Sequence, residues 1–105
     1  MSRVLGNIVT QSVVSVSLTP AEVATVVAAE QTFTIAGLKP GDIISGFHLS
    51  GAIGTACSAT SARVSAADTL AVIFNNPTAG NLTPTAGTYK FILSRPDSLA
   101  TDGNI

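Results

Sequence analysis

The stretch Ala62 to Leu93, ARVSAADTLAVIFNNPTAGNLTPTAGTYKFIL, does most to restrict the fold, because it holds two runs of strict period-two alternation. Leu70, Val72 and Phe74 alternate with Thr69, Ala71 and Ile73, and Tyr89, Phe91 and Leu93 form one face of a second run that Pro96 stops. Alternation of this kind sends successive side chains to opposite faces of a strand, a pattern that no helix can bury on one side. The first run is apolar on both faces, the composition of a central strand. Between them Asn75, Asn76, Pro77, Gly80 and Asn81 combine left-handed tolerance, a rigid φ and a permissive backbone. The connection is therefore a structured loop that continues past Pro84 to Gly87.

The remaining chain follows the same logic. Val14, Val16 and Leu18 share one face of a strand over Ser12 to Leu18, opposite Ser15 and Ser17. Phe33 and Ile35 do so over Gln31 to Ile35, and Lys39-Pro40-Gly41-Asp42 then supplies a tight turn. From Ile43 the odd positions Ile43, Phe47 and Leu49 face away from Ile44, His48 and Ser50, with a bulge expected near Gly46. Gly51 to Ser61 lacks large side chains except Ile53 and reads as a loop with one short extended piece. Thr19-Pro20-Ala21-Glu22 matches a helical capping box, which admits a short helix over Thr19 to Ala29. The density of β-branched Val23, Thr25, Val26 and Val27 favours extended structure from about Val23 instead. Together these runs predict an all-β fold, a small β-sandwich or jelly-roll-like barrel over residues 12–95. An extended N-terminal arm, residues 1–11, precedes it, and a polar C-terminal tail, residues 96–105, follows.

Composition bears on what surrounds such a domain. A folded monomer of this mass exposes about 5,500 Å², and only 5 Lys+Arg and 6 Asp+Glu side chains are present to serve it. A surface so poor in charge is either hydrated through Ser and Thr hydroxyls or covered by neighbouring subunits. The mean hydropathy of +0.48 favours the covered version, and hence assembly. Arg3, Lys39, Arg63, Lys90 and Arg95 are scattered singly and offer no stripe for a phosphate backbone, so no direct nucleic-acid partner is expected. No segment has the apolar length of a membrane span, and Gly6, Asn7, Thr10 and Gln11 interrupt any secretory core near the start. A soluble chain with no membrane partner is expected.

Chemistry-bearing residues are sparse. Cys57 lies in GTACSAT and reads as a buried, inert thiol that has no partner in the chain for a disulfide. His48 is alone, without a Cys or carboxylate at ligand spacing. A triad sketched from Ser50, His48 and Asp68 has no support beyond composition. Gly51-Ala52-Ile53-Gly54 is a flexible turn, and Asp42 and Asp68 are turn formers. No catalytic, cofactor-binding or metal residue is assigned, and the chain is not expected to be an enzyme.

Three motifs carry a resemblance: Gly37-Leu38-Lys39-Pro40-Gly41-Asp42, the ARVSAADTL of Ala62 to Leu70, and Asn76-Pro77-Thr78-Ala79-Gly80 closing on Gly87-Thr88-Tyr89. Over roughly Glu22 to Arg95 the chain resembles the small capsid decoration, or cement, proteins of tailed bacteriophages. The resemblance implies a virion protein on the outer surface of the capsid that cross-links neighbouring major capsid proteins and stabilises the head. It also implies a homo-oligomer, a homodimer or homotrimer at a local symmetry axis, with arms reaching onto adjacent subunits. On that reading Val4, Leu5, Ile8 and Val9 supply part of the capsid or subunit interface, in a groove or as a strand added to a partner's edge. The arm packing on its own domain or oligomer is the alternative. A second function remains open: a phage head-fibre or tail-associated module that recognises a host surface glycan or protein through the NPTAG loop and Gly51 to Ser61. Against it, Trp is absent and the sole Tyr89 lies within a strand.

Overall fold

A computed structural model describes residues 4–5, 8–52, 54–96 and 101–102. The chain is all-β and forms two three-stranded antiparallel sheets packed as a small sandwich. The strands are β1 (Val4–Leu5), β2 (Ile8–Leu18), β3 (Val27–Thr34), β4 (Ile43–Leu49), β5 (Ser58–Ala66), β6 (Thr69–Asn76), β7 (Gly87–Pro96) and β8 (Thr101–Asp102). One sheet has the order β2-β7-β4 and the other β3-β6-β5, so the two strands with the strongest alternation, β6 and β7, are central. A short ribbon of β1 and β8 pairs antiparallel, Val4 opposite Asp102 and Leu5 opposite Thr101.

The core lies between the sheets and is built from the predicted faces. Leu70, Val72 and Phe74 of β6 and Tyr89 and Phe91 of β7 are almost fully buried. Val14, Val16 and Leu18 of β2 pack against them, as do Phe33 and Ile35 at the end of β3. Phe47 stacks on Tyr89 with ring centroids 5.3 Å apart, and Phe33 meets Phe74 edge to face at 6.5 Å. These geometries add to the area term that each buried aromatic contributes.

Three local readings of the sequence are refined or changed. The short extended piece expected within Gly51 to Ser61 is the start of β5, which begins at Ser58 opposite Asn75 of β6 and runs on to Ala66. Its inward residues Ala59 and Ala62 are small, since β6 already supplies the bulk of the layer, and a run of Ser, Ala and Thr has no hydropathy contrast to betray its alternation. Ile43 does not share a face with Phe47 and Leu49. The register slips between Ser45 and His48 around Gly46 at φ 65°, so Ile44, Phe47 and Leu49 point inward and Ile43 is 52% exposed. Over Thr19 to Ala29 there is no helix: Val23 forms a single bridge to Leu82, Thr25 and Val26 turn, and β3 starts at Val27 rather than Gln31.

Two side chains hold the connections. Asn76, fully buried, donates through Nδ2 toward the carbonyls of Val23 (3.1 Å), Ala24 (3.2 Å) and Gly80 (2.8 Å). Its Oδ1 accepts from the Thr78 amide at 3.0 Å, so one amide group locks the NPTAG loop onto the segment before β3. At the opposite end of the strand, Asp68 at φ 58° accepts the Gly37 N–H at 2.8 Å and donates its own N–H to Leu38 O at 2.9 Å. Asp42 accepts from Lys39 N at 2.9 Å. Both acids form turns, as the sequence indicates.

Candidate interaction surface

The outward faces of the two sheets differ in kind. On the β3-β6-β5 side, Arg63 donates to both carboxylate oxygens of Glu30 at 3.0 and 3.1 Å. The pair spans the middle strand above Ala71, which is 1% exposed although it faces outward. The Glu30 carboxyl is held below the usual carboxylate range, chiefly by this hydrogen bond. That face is charged and wet.

The outward face of β2-β7-β4 carries aliphatic side chains instead. Val13 lies directly opposite Ile92, and Ile92 in turn opposite Ser45. In the next row Gln11, Ser94 and Ile43 sit side by side, and Gln11 Nε2 donates to Ser94 Oγ at 3.3 Å. Val13 is 73% exposed, Ile8 56% and Ile92 38%. Lys90 and His48 face each other farther along the same sheet. Among the described residues, no Lys, Arg, Asp or Glu stands on this surface between Ile8 and Val13 on β2 and across to Ile43. An apolar cluster set among polar and charged side chains is the composition of a contact site.

The sequence-based interface residues fall partly here. Ile8 begins β2 opposite Pro96 and joins the aliphatic cluster. Val4 and Leu5 form β1 and engage β8 of the same chain through the backbone. Val9 lies within β2, and its side chain is outside the described residues. Val13, Ile43 and Ile92 were not singled out from sequence. The doublet Val13-Val14 in a strict alternation was the available signal, since one of the two must face outward. Ile92 between Phe91 and Leu93 was the same signal.

A second feature is a seam. No ladder joins β4 to β5, and a depression of about 360 Å³ opens between them, lined by Phe47, Leu49, Cys57, Thr85 and Tyr89. Its chemistry is muted. Cys57 is 1% exposed, and burial pushes its thiol above the usual range. Tyr89 is 4% exposed and donates its hydroxyl to Thr85 O at 2.6 Å. Among the described residues no three His, Cys, Asp or Glu side chains gather where they could hold a metal ion. The residues of the sketched triad are otherwise engaged: Asp68 with Gly37, Ser50 Oγ with Thr88 O at 2.9 Å, and His48 Nδ1 with Gly46 O at 2.6 Å. No helix of the described chain is long and apolar enough to cross a membrane.

The fold and surface define a small β-sandwich with one aliphatic outer face. Comparison of the chain with known protein families, curated proteins and solved structures finds no match.

Proposed function

We propose that this chain is a structural virion protein of a tailed phage, bound to the outside of the capsid, where it cross-links neighbouring major capsid proteins and stabilises the head. The observation that carries the reading is the charge-free aliphatic cluster of Ile8, Val13, Ile43 and Ile92 on a sheet face. A protein whose work is to remain wedged among other chains gains from such a face, because burying it releases water without stranding charge. The resemblance supplies the identity of the partner. Its three motifs coincide with the turns at Asp42 and Asp68 and with the Asn76-locked loop, the elements that keep the sheet rigid.

A bridging role needs more than about 1,000 Å² of buried surface in total; the aliphatic face would supply one contact and the β1–β8 ribbon a second. The glycan-binding alternative wants an exposed aromatic platform, whereas Tyr89 and Phe91 are 4% and 1% exposed. Capsids of the parent phage, stripped of this protein and mixed with it, test the proposal. Co-sedimentation and cryo-EM density that touches two capsid subunits are expected, with Val13→Asp and Ile92→Asp abolishing both. Intact protein that never sediments with capsids overturns it.

A further inference from the structure

Each three-stranded sheet leaves two edge strands, and an edge presents unpaired N–H and C=O groups that another chain can use. Three of the four edges are defended. β5 is irregular at two places, between Ala59 and Ser61 and between Val64 and Ala66. β4 is broken by the bulge at Gly46, and β4 and β5 face each other across the seam. The edge of β3 is engaged at one point by the chain itself, where the Gln31 amide accepts the Ala21 N–H at 2.7 Å and donates to Ala21 O at 2.8 Å, and Glu30 adds a charge.

β2 differs from all three. From Thr10 to Leu18 its register against β7 runs without a slip, and TQSVVSVSL contains no charge, proline or glycine. Such a strand can pair with itself antiparallel without setting like charges opposite one another. Val13 is flanked by Ile92 on one side and by no strand among the described residues on the other, and Val14 and Val16, which point into the core, are only half-buried.

We propose that a second copy of this chain pairs antiparallel along β2, joining two molecules into one six-stranded sheet of order β4-β7-β2-β2′-β7′-β4′. The register keeps outward residues opposite outward residues, because a slip by one would set the partner's core-facing residues beside this molecule's aliphatic face and leave the two faces on opposite sides of the joined sheet. Pairing covers the open flanks of Val13, Val14 and Val16 and merges the two aliphatic faces into one. A two-fold antiparallel contact uses the same edge twice and closes at a dimer. The inference rests on the proposed function only for its purpose, since dimerisation is measured with no capsid present.

Light scattering and sedimentation of the full chain across the micromolar range provide the test. The wild type is expected at twice its 10.6 kDa mass, with β2 amides slowing in hydrogen exchange as concentration rises. The double variant V13K/S15K places like charges opposite each other in the registers centred on Val13, Val14 or Ser15, where the run Thr10 to Leu18 overlaps itself most, and weakens the dimer by roughly tenfold or more. Both positions are exposed, so far-UV circular dichroism and the melting temperature of the dilute protein should not change. I43K, two strands away from the edge, leaves the dimer intact. A monomer or trimer at all concentrations, a dimer indifferent to V13K/S15K, or one dispersed by I43K overturns the inference. Capsid binding can fail while the dimer persists, and the reverse, so the two proposals are separable.

Discussion

Arg95 on β7 grips Asp42, the last residue of the turn before β4, through two bonds of 2.9 and 2.7 Å, and donates to Gly37 O at 2.9 Å as well. The Asp42 side chain is 2% exposed, so the ion pair fastens the GLKPGD turn to the end of the central strand. The Arg95 hydrogen bond is the largest cause that lowers the Asp42 carboxyl below its ordinary value of 3.8. A depressed carboxylate stabilises the fold above its unfolded pKa, and that contribution is lost as pH falls through the folded value. Stability should therefore be flat from neutral pH to about pH 5 and decline below 3.8. Asp42→Asn should lower the unfolding free energy by roughly 2 kcal/mol at neutral pH and flatten that acid limb, read from urea titrations at several pH values.

Asn76 is the most heavily used side chain among the described residues, and it has no exposed surface. Asn76→Ala orphans the buried carbonyl groups it serves and should cost roughly 2–4 kcal/mol. Asn76→Asp should cost more, because a carboxylate would face the oxygens of Val23, Ala24 and Gly80. Chemical denaturation measures both, and a loss below that of an ordinary surface substitution would show the loop lock to be dispensable.

Backbone strain gives a pair of opposite signs. Val26 occupies φ 49° while 70% exposed, a conformation that crowds its branched side chain without any compensating packing. Val26→Asn should raise stability by about 1 kcal/mol. Gly46 at φ 65° has open space where a Cβ would stand, so Gly46→Ala meets only the backbone penalty and should lose about 1–2 kcal/mol. Thermal unfolding of the two variants side by side is the measurement.

Cys57 offers a probe of global opening. Its sulfur is buried and its thiol is pushed up, so the thiolate that a disulfide reagent needs is both scarce and hidden. Labelling should be slow in native buffer and fast in denaturant, with a native rate that tracks overall unfolding. Rapid labelling under native conditions would mean that the β4–β5 seam breathes on its own.

The strands Leu70 to Phe74 and Tyr89 to Leu93 were legible because large apolar residues contrast with their neighbours at period two. β5 was not, since Ala59, Ser61 and Ala62 present no contrast and become a strand only beside β6. The bulge at Gly46 was visible as a glycine in a strand, but its effect on Ile43 was not, because a register slip is defined only against the partner strand. Asn76 read as a loop former, and nothing local announced that its amide reaches Val23, 53 positions away in sequence.

The sequence by itself determined the class: period-two alternation admits only strands, and too few charges leave a neutral surface. Which aliphatic residues remain outside, and which edge stays undefended, was decided by tertiary structure. Val13 and Val14 are identical side chains one residue apart, and only the packing of β2 on β7 sends one into the core and the other into solvent. Local preference sets the conformation of a residue, whereas the face it presents depends on a partner brought from a distant part of the chain.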